Sequence, residues 1–213
     1  MKNYDKNCME VGLDEVARGC LLGRVYTAGV VWNNDFDEEI DNIEGFKITD
    51  SKKLSKKKRE ETYDYIIDNA IDWNVTYMTE KQVDDKNILA ATLKSFHNCI
   101  DGLSVDVENI LVDGTQFIPY KNIPHTCVTK GDNKYYSIAA ASIIAKVTHD
   151  KYIEDLCEKY PELDEKYDLL NNMGYGTAKH IDGIKKYGLS KFHRRTFGIC
   201  QTFDMDSSSS DDD

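Results

Sequence analysis

The sequence predicts an α/β domain, and three observations predict it. Short runs with the period-2 alternation or the β-branched, aromatic composition of strands recur along the chain. Between them lie longer segments whose apolar residues repeat at helical spacing. A further stretch, residues 137–156, is apolar on nearly every side over its first three turns, which calls for a helix buried in a core. At 213 residues and 24.4 kDa the chain is long enough to build one.

In chain order, Val11 and Leu13 alternate with Glu10 and Gly12 in a half-buried strand that runs into Asp14 and Glu15. Neighbouring strand residues point to opposite faces, so these two acids share a site only if the strand ends or bends there; Gly19 offers that freedom. Residues 25–32 read as a second strand and residues 33–45 as an acidic loop. Ser55 is an N-cap for a helix that lines up Tyr63, Ile66, Ile67 and Ala70. Val75, Tyr77 and Thr79 alternate in a short strand. A long helix follows from Asn87, with Leu89, Leu93, Phe96, Ile100 and Leu103 on one stripe. Two short strands, at 110–112 and 125–129, end in Asp113-Gly114 and Lys130-Gly131-Asp132. Tyr160-Pro161 ends the apolar helix, and Gly174-Tyr175-Gly176-Thr177 opens a shorter one to Tyr187. The expected organisation is one folded domain over 1–200, helical at its C-terminal end, and a disordered acidic tail over 201–213.

The net charge of −11 does not exclude a nucleic-acid binder. Five of those charges are tail aspartates, which leaves −6 before the tail, and binding follows the local field. Lys52-Lys53 with Lys56-Lys57-Lys58-Arg59 is one basic cluster; Lys185-Lys186, Lys191 and Arg194-Arg195 form another. No apolar run approaches a membrane span, and the polar start lacks the core of a signal peptide. Six cysteines without a Cys-x-x-Cys pair argue against zinc and disulfides and for a reducing, cytoplasmic setting.

Singly, an Asp-Glu pair is usually solvated surface, and Asp113 and Asp132 read as turn residues. Jointly, Asp14, Glu15, Asp113 and Asp132 are acids at the ends of apolar runs converging at one sheet edge. Four carboxylates that close cannot all ionise without cations. Hard oxygens with no His or Cys beside them suit Mg²⁺ or Mn²⁺, and paired metals suit phosphoryl chemistry.

The motifs extend beyond the acids. They are Gly12-Leu13-Asp14-Glu15-Val16-Ala17-Arg18-Gly19, Asp50-Ser51-Lys52-Lys53-Leu54-Ser55, residues 87–93, Val112-Asp113-Gly114, Lys130-Gly131-Asp132, residues 137–148, Gly174-Tyr175-Gly176-Thr177 and His193-Arg194-Arg195-Thr196-Phe197. In this order, over residues 9 to about 198, they resemble bacterial-type ribonuclease HII. The resemblance implies an RNase H-like mixed five-stranded sheet flanked by helices, with a helical C-terminal part. It implies endonucleolytic cleavage of RNA paired with DNA, 5′ of a ribonucleotide, leaving 3′-hydroxyl and 5′-phosphate ends. Asp14, Glu15, Asp113 and Asp132 match the catalytic, metal-binding acids for Mg²⁺ or Mn²⁺, with two ions in the substrate complex. Ala17, Arg18 and Gly19 match the loop that reads the ribose 2′-hydroxyl, and Tyr175 the tyrosine that stacks on the next sugar. Lys52, Lys53 and Lys146 are candidate phosphate contacts. The implied partner is an RNA–DNA hybrid or a DNA duplex carrying ribonucleotides, bound by a monomer.

Two departures bear on specificity. The family loop usually reads Gly-Arg-Gly-Pro, and here it is Ala17-Arg18-Gly19-Cys20. Because Gly19 is kept, Ala17 is expected at negative φ, where its methyl only narrows the space. The family often has a basic residue in the segment that here reads Asn171-Asn172-Met173. The alternatives are a resolvase-like DNA nuclease of the same superfamily, which needs the acids but not the 2′-hydroxyl loop, and a binding module with degenerate chemistry.

Overall fold

The computed structural model describes residues 1–5, 7–32 and 48–207. The acidic loop expected at 33–45 and the end of the tail lie outside the described residues. The chain divides into two compact units, one of residues 1–16, 26–77 and 92–148, the other of residues 17–25, 78–91 and from 149 onward.

The first unit is built on a five-stranded sheet. Its strands are β1 Glu10–Val16, β2 Val25–Val31, β3 Asp72–Met78, β4 Asn109–Asp113 and β5 His125–Val128, in the order β3-β2-β1-β4-β5. β1 runs antiparallel to β2, from Val11 opposite Val31 to Val16 opposite Tyr26. It runs parallel to β4, which runs parallel to β5. The sheet is therefore mixed, as the resemblance implies. Its helices are α1 Lys56–Asn69, α3 Ile88–Asp101 and α4 Tyr136–Lys159, the last two also giving residues to the second unit. Ser55 caps α1 by accepting from the Lys58 amide.

Strand alternation decides what each face packs against. Ala28, Val30 and Trp32 meet Ile66 of α1 and the apolar start of α4, where Ala139, Ala140, Ala141, Ile143, Ile144 and Ala145 are fully buried. Burying each isoleucine there stabilises the fold by about 2 kcal/mol. Helix and sheet approach closely because residue 12 is glycine: a Cβ there would lie 2.3 Å from the Ser137 carbonyl carbon. On the opposite face Thr27 Oγ1 lies 2.7 Å from Ser95 Oγ of α3. Gly29 leaves room for Leu13, Val11 and Cys99 beside it.

The second unit is helical. It holds α2 Glu80–Lys86, α5 Pro161–Tyr167, α6 Leu169–Asn172, α7 Ala178–Tyr187 and α8 Cys200–Ser207. Leu21, Leu22, Ile153, Leu163, Leu169, Ile184 and Cys200 form its larger core, and Val25, Met78, Val83 and Ala91 a smaller one. Part of the stretch expected as a tail from residue 201 lies within the described residues. The stretch to Ser207 is helical because Cys200 is fully buried and Phe203 packs on the larger core. Within the second basic cluster, Arg194 is fully buried.

Candidate active site

β1 carries Asp14 and Glu15 at its C-terminal end, and the parallel neighbour β4 ends in Asp113. After β5, Lys130 adopts a left-handed conformation and starts a 3₁₀ turn, Gly131–Asn133, that contains Asp132. Parallel strands end on the same side of a sheet, so the topology gathers the four acids. Asp14 is buried, and its carboxyl feels Glu15, Asp113 and Asp132. Burial first, then those three carboxylates, push its pKa well above the usual range. Asp113 is pushed up as well, by burial and by Asp132 and Asp50, against the opposing pull of the Gly131 amide and Lys52.

One oxygen of each aspartate already has a donor. Asp14 Oδ1 accepts from the Glu15 amide at 2.7 Å, Asp113 Oδ1 from the Gly131 amide at 2.7 Å and Asp132 Oδ1 from Asn133 Nδ2 at 2.9 Å. These bonds orient the carboxylates. Among the described residues, no three His, Cys, Asp or Glu side chains are arranged as a finished metal cage. The acids are grouped within electrostatic reach rather than at ligand distance. The donor set nevertheless fits a hard divalent cation: it is all oxygen, and its mutual repulsion is relieved by added positive charge.

The expected phosphate-binding lysines separate. Lys52 is close enough to Asp113 to act on its titration, and the exposed Lys53 bonds to Asn133 Oδ1. Lys146 sits half-exposed on α4. Two contributors escaped the sequence reading. Asp50 accepts from the Lys52 amide at 3.0 Å and from Asn133 Nδ2 at 3.4 Å, so it fixes the lysine turn and adds negative charge near Asp113. Asn133 links that turn to Asp132. In sequence, Asp50 before Ser-Lys reads as an ordinary cap, and only the fold brings it to the acids.

The other expected substrate residues belong to the second unit. Ala17 to Cys20 form a tight turn closed by the Cys20 amide to the Ala17 carbonyl at 3.3 Å. Ala17 has φ +69 and is 1% exposed, which overturns the expected negative φ. Ala17 opens this turn from the left-handed region. Arg18 and Gly19 are exposed beside it. Tyr175 pairs with Cys20 in an antiparallel bridge, and its ring edge lies 4.0 Å from where a Gly19 Cβ would stand. Burial, then Cys20, push its phenol up to about 12, although the residue is 38% exposed; the hydroxyl end, against the Ala17 backbone, is the enclosed end.

Comparison with known proteins identifies the family. The family model for ribonuclease HII matches residues 11–200. A ribonuclease HII of Parabacteroides distasonis is 43% identical over 191 residues, covering 90% of each chain. One of Bacteroides thetaiotaomicron is 42% identical over 195 residues, covering 92% of each. The crystal structure of ribonuclease H2 from Pyrococcus horikoshii superposes with a TM-score of 0.74 at 26% identity, over 94% of this chain and 99% of that one. The chain belongs to the ribonuclease HII family of metal-dependent, hydrolytic nucleases.

Proposed function

We propose that the protein cleaves the RNA strand of RNA–DNA hybrids, and DNA duplexes at embedded ribonucleotides, on the 5′ side of the ribonucleotide, leaving 3′-hydroxyl and 5′-phosphate ends. The observation that carries this reading is the Asp14 carboxyl, buried against three other carboxylates. Asp14, Glu15, Asp113 and Asp132 would hold Mg²⁺ or Mn²⁺, two ions once substrate is bound. When bound, such ions activate water and stabilise the leaving oxygen. Backbone bonds from Glu15 and Gly131 hold Asp14 and Asp113 in orientation. Lys52, Lys53 and Lys146 supply positive charge for the phosphodiester backbone.

The Ala17–Gly19 turn offers backbone groups to the 2′-hydroxyl, the only group that distinguishes RNA from DNA at one position. The Tyr175 ring offers a flat face to the adjoining sugar. Packing of that ring against the turn favours ribonucleotide recognition over a resolvase-like DNA nuclease, which needs neither.

The test is a labelled duplex with one ribonucleotide, incubated with Mg²⁺ and then with EDTA. Cleavage 5′ of the ribonucleotide that EDTA abolishes is expected. Asp14→Asn or Asp113→Asn should lower the rate by orders of magnitude, because each removes charge and geometry together. Near-normal turnover by either variant would overturn the metal-site reading.

A further inference from the structure

The His193-Arg194-Arg195-Thr196-Phe197 motif has no part in the chemistry described so far, yet its first two side chains are almost completely buried in the second unit, His193 at 2% exposure and Arg194 at 0%. They reach, Arg194 directly and His193 through His180, the turn and the tyrosine assigned above to the ribose. Arg194 donates from Nε to the Gly23 carbonyl at 2.8 Å and from Nη1 to the Arg18 carbonyl at 3.1 Å. Its amide donates to the Leu21 carbonyl at 2.8 Å. A single guanidinium thus grips both ends of the segment that begins at the turn.

His193 reaches the other half of that element through a second histidine. Its Nε2 lies 3.1 Å from His180 Nε2, and His180 Nδ1 lies 2.9 Å from the Tyr175 carbonyl. At the far end, His193 Nδ1 lies 2.9 Å from the Ser190 amide nitrogen. Only one proton arrangement satisfies all three contacts. A carbonyl accepts only, so His180 carries its proton on Nδ1. Its Nε2 is then bare and accepts from His193 Nε2–H, which leaves His193 Nδ1 to accept from the Ser190 amide. Both rings are neutral in this arrangement. Charging either would set two N–H groups against each other inside a site closed by the Tyr167 ring, 4.7 Å from the His193 ring. Burial favours the neutral forms, lowering His180 and bringing His193 to about 3, the latter also through its neighbours His180 and Arg195.

We propose that His180, His193 and Arg194 are positioning residues that set the spacing between the Ala17–Gly19 turn and Tyr175, and so tune selectivity for a ribonucleotide junction. The inference rests on the function proposed above. Adjacent residues hold the two parts: Arg194 fixes the Arg18 carbonyl, while His193, through His180, fixes the Tyr175 carbonyl. Within its own loop, Tyr175 donates its amide to the Asn172 carbonyl at 3.0 Å and accepts from the Thr177 amide at 2.8 Å; towards the turn, the backbone offers the Cys20 bridge and the Leu21 amide to the Gly174 carbonyl at 2.8 Å. The relay adds to these a directional side-chain restraint at the Tyr175 carbonyl and ties it to the residue next to Arg194.

The experiment compares wild type, His193→Leu and His193→Gln on duplexes with one and with four consecutive ribonucleotides. His193→Leu removes the donor; His193→Gln keeps an N–H that reaches His180. For His193→Leu, the ratio of kcat/KM on the single-ribonucleotide duplex to that on the four-ribonucleotide duplex should fall at least about tenfold. His193→Gln should restore most of it. An unchanged ratio in a folded His193→Leu protein overturns the proposal. A wild type that cuts neither duplex would instead overturn the function on which it rests. If His193→Leu does not fold, nitrogen-15 NMR of the wild type decides. The proposal requires His180 as the Nδ1–H tautomer and His193 as Nε2–H, both neutral at pH 6. The opposite tautomer of His180, or a charged ring at that pH, overturns it.

Discussion

Two residues carry more than their side-chain chemistry announces. Ala17 sits at φ +69, where an L-residue with a Cβ is strained by about 1–2 kcal/mol. Ala17→Gly should therefore stabilise the protein by about 1 kcal/mol in urea unfolding, less than the full strain because glycine also gains freedom in the unfolded chain. An unchanged or lower midpoint would show that the neighbouring contacts already relieve the strain. Glu10 is buried on β1, accepting from Ser137 Oγ at 3.2 Å and Asn109 Nδ2 at 3.4 Å, and burial pushes it to about 7 from an ordinary 4.5. The folded state then holds this proton more tightly than the unfolded one. The associated stability is complete below about pH 4.5 and is lost as pH rises through 7. Glu10→Gln should gain about 1–3 kcal/mol over wild type at pH 8 and little at pH 4; equal gains at both would refute a titrating Glu10. Neither residue was legible from sequence. Glu10 looks like one solvated acid of a strand, and a φ angle is fixed by tertiary contacts. The grouping of the four acids was legible because each ends an apolar run and such runs pair. Asp50 was not, because nothing local links it to Asp132.

At the scale of elements, periodicity decided what could be read. β1, β2, α1, α3 and α4 each bury a stripe or a face, so their patterns declare them. α2 escaped because it buries only Val83. Its signal was the capping box, Thr79 with Gln82, each side chain bonded to the other's backbone. Pro161 reads as a stop after α4, and it is also the first residue of α5, where its missing N–H costs nothing. α8 escaped because its sequence is acidic and lacks an apolar stripe at helical spacing. Truncation after Ser207 should leave thermal stability unchanged. Truncation after Ile199 removes buried Cys200 and the packed Phe203 and should cost about 2–4 kcal/mol. Equal melting temperatures for the two truncations would mean that α8 contributes nothing to its core.

Over the whole molecule, charge is distributed unlike its total. The lysine-rich start of α1 is partly neutralised within its own helix, with Lys56 4.0 Å from Glu60 and Lys57 3.9 Å from Glu61. Lys52 and Lys53 instead stand free of such helical pairing, near Asp113 and Asn133. A net −11 thus coexists with positive charge beside Asp113 and Asn133. The parallel pairing of β1 with β4 has a consequence in time. It joins residues 10–13 to residues 109–112, so the two strands bearing Asp14 and Asp113 meet only across a separation of about one hundred residues. Long-range parallel pairing of this kind raises contact order and slows folding. During synthesis, β1 waits without its central partner until β4 has left the ribosome, and Asp132 emerges later still. The four acids are therefore brought together only once more than half the chain has been made, and their grouping is a late product of folding.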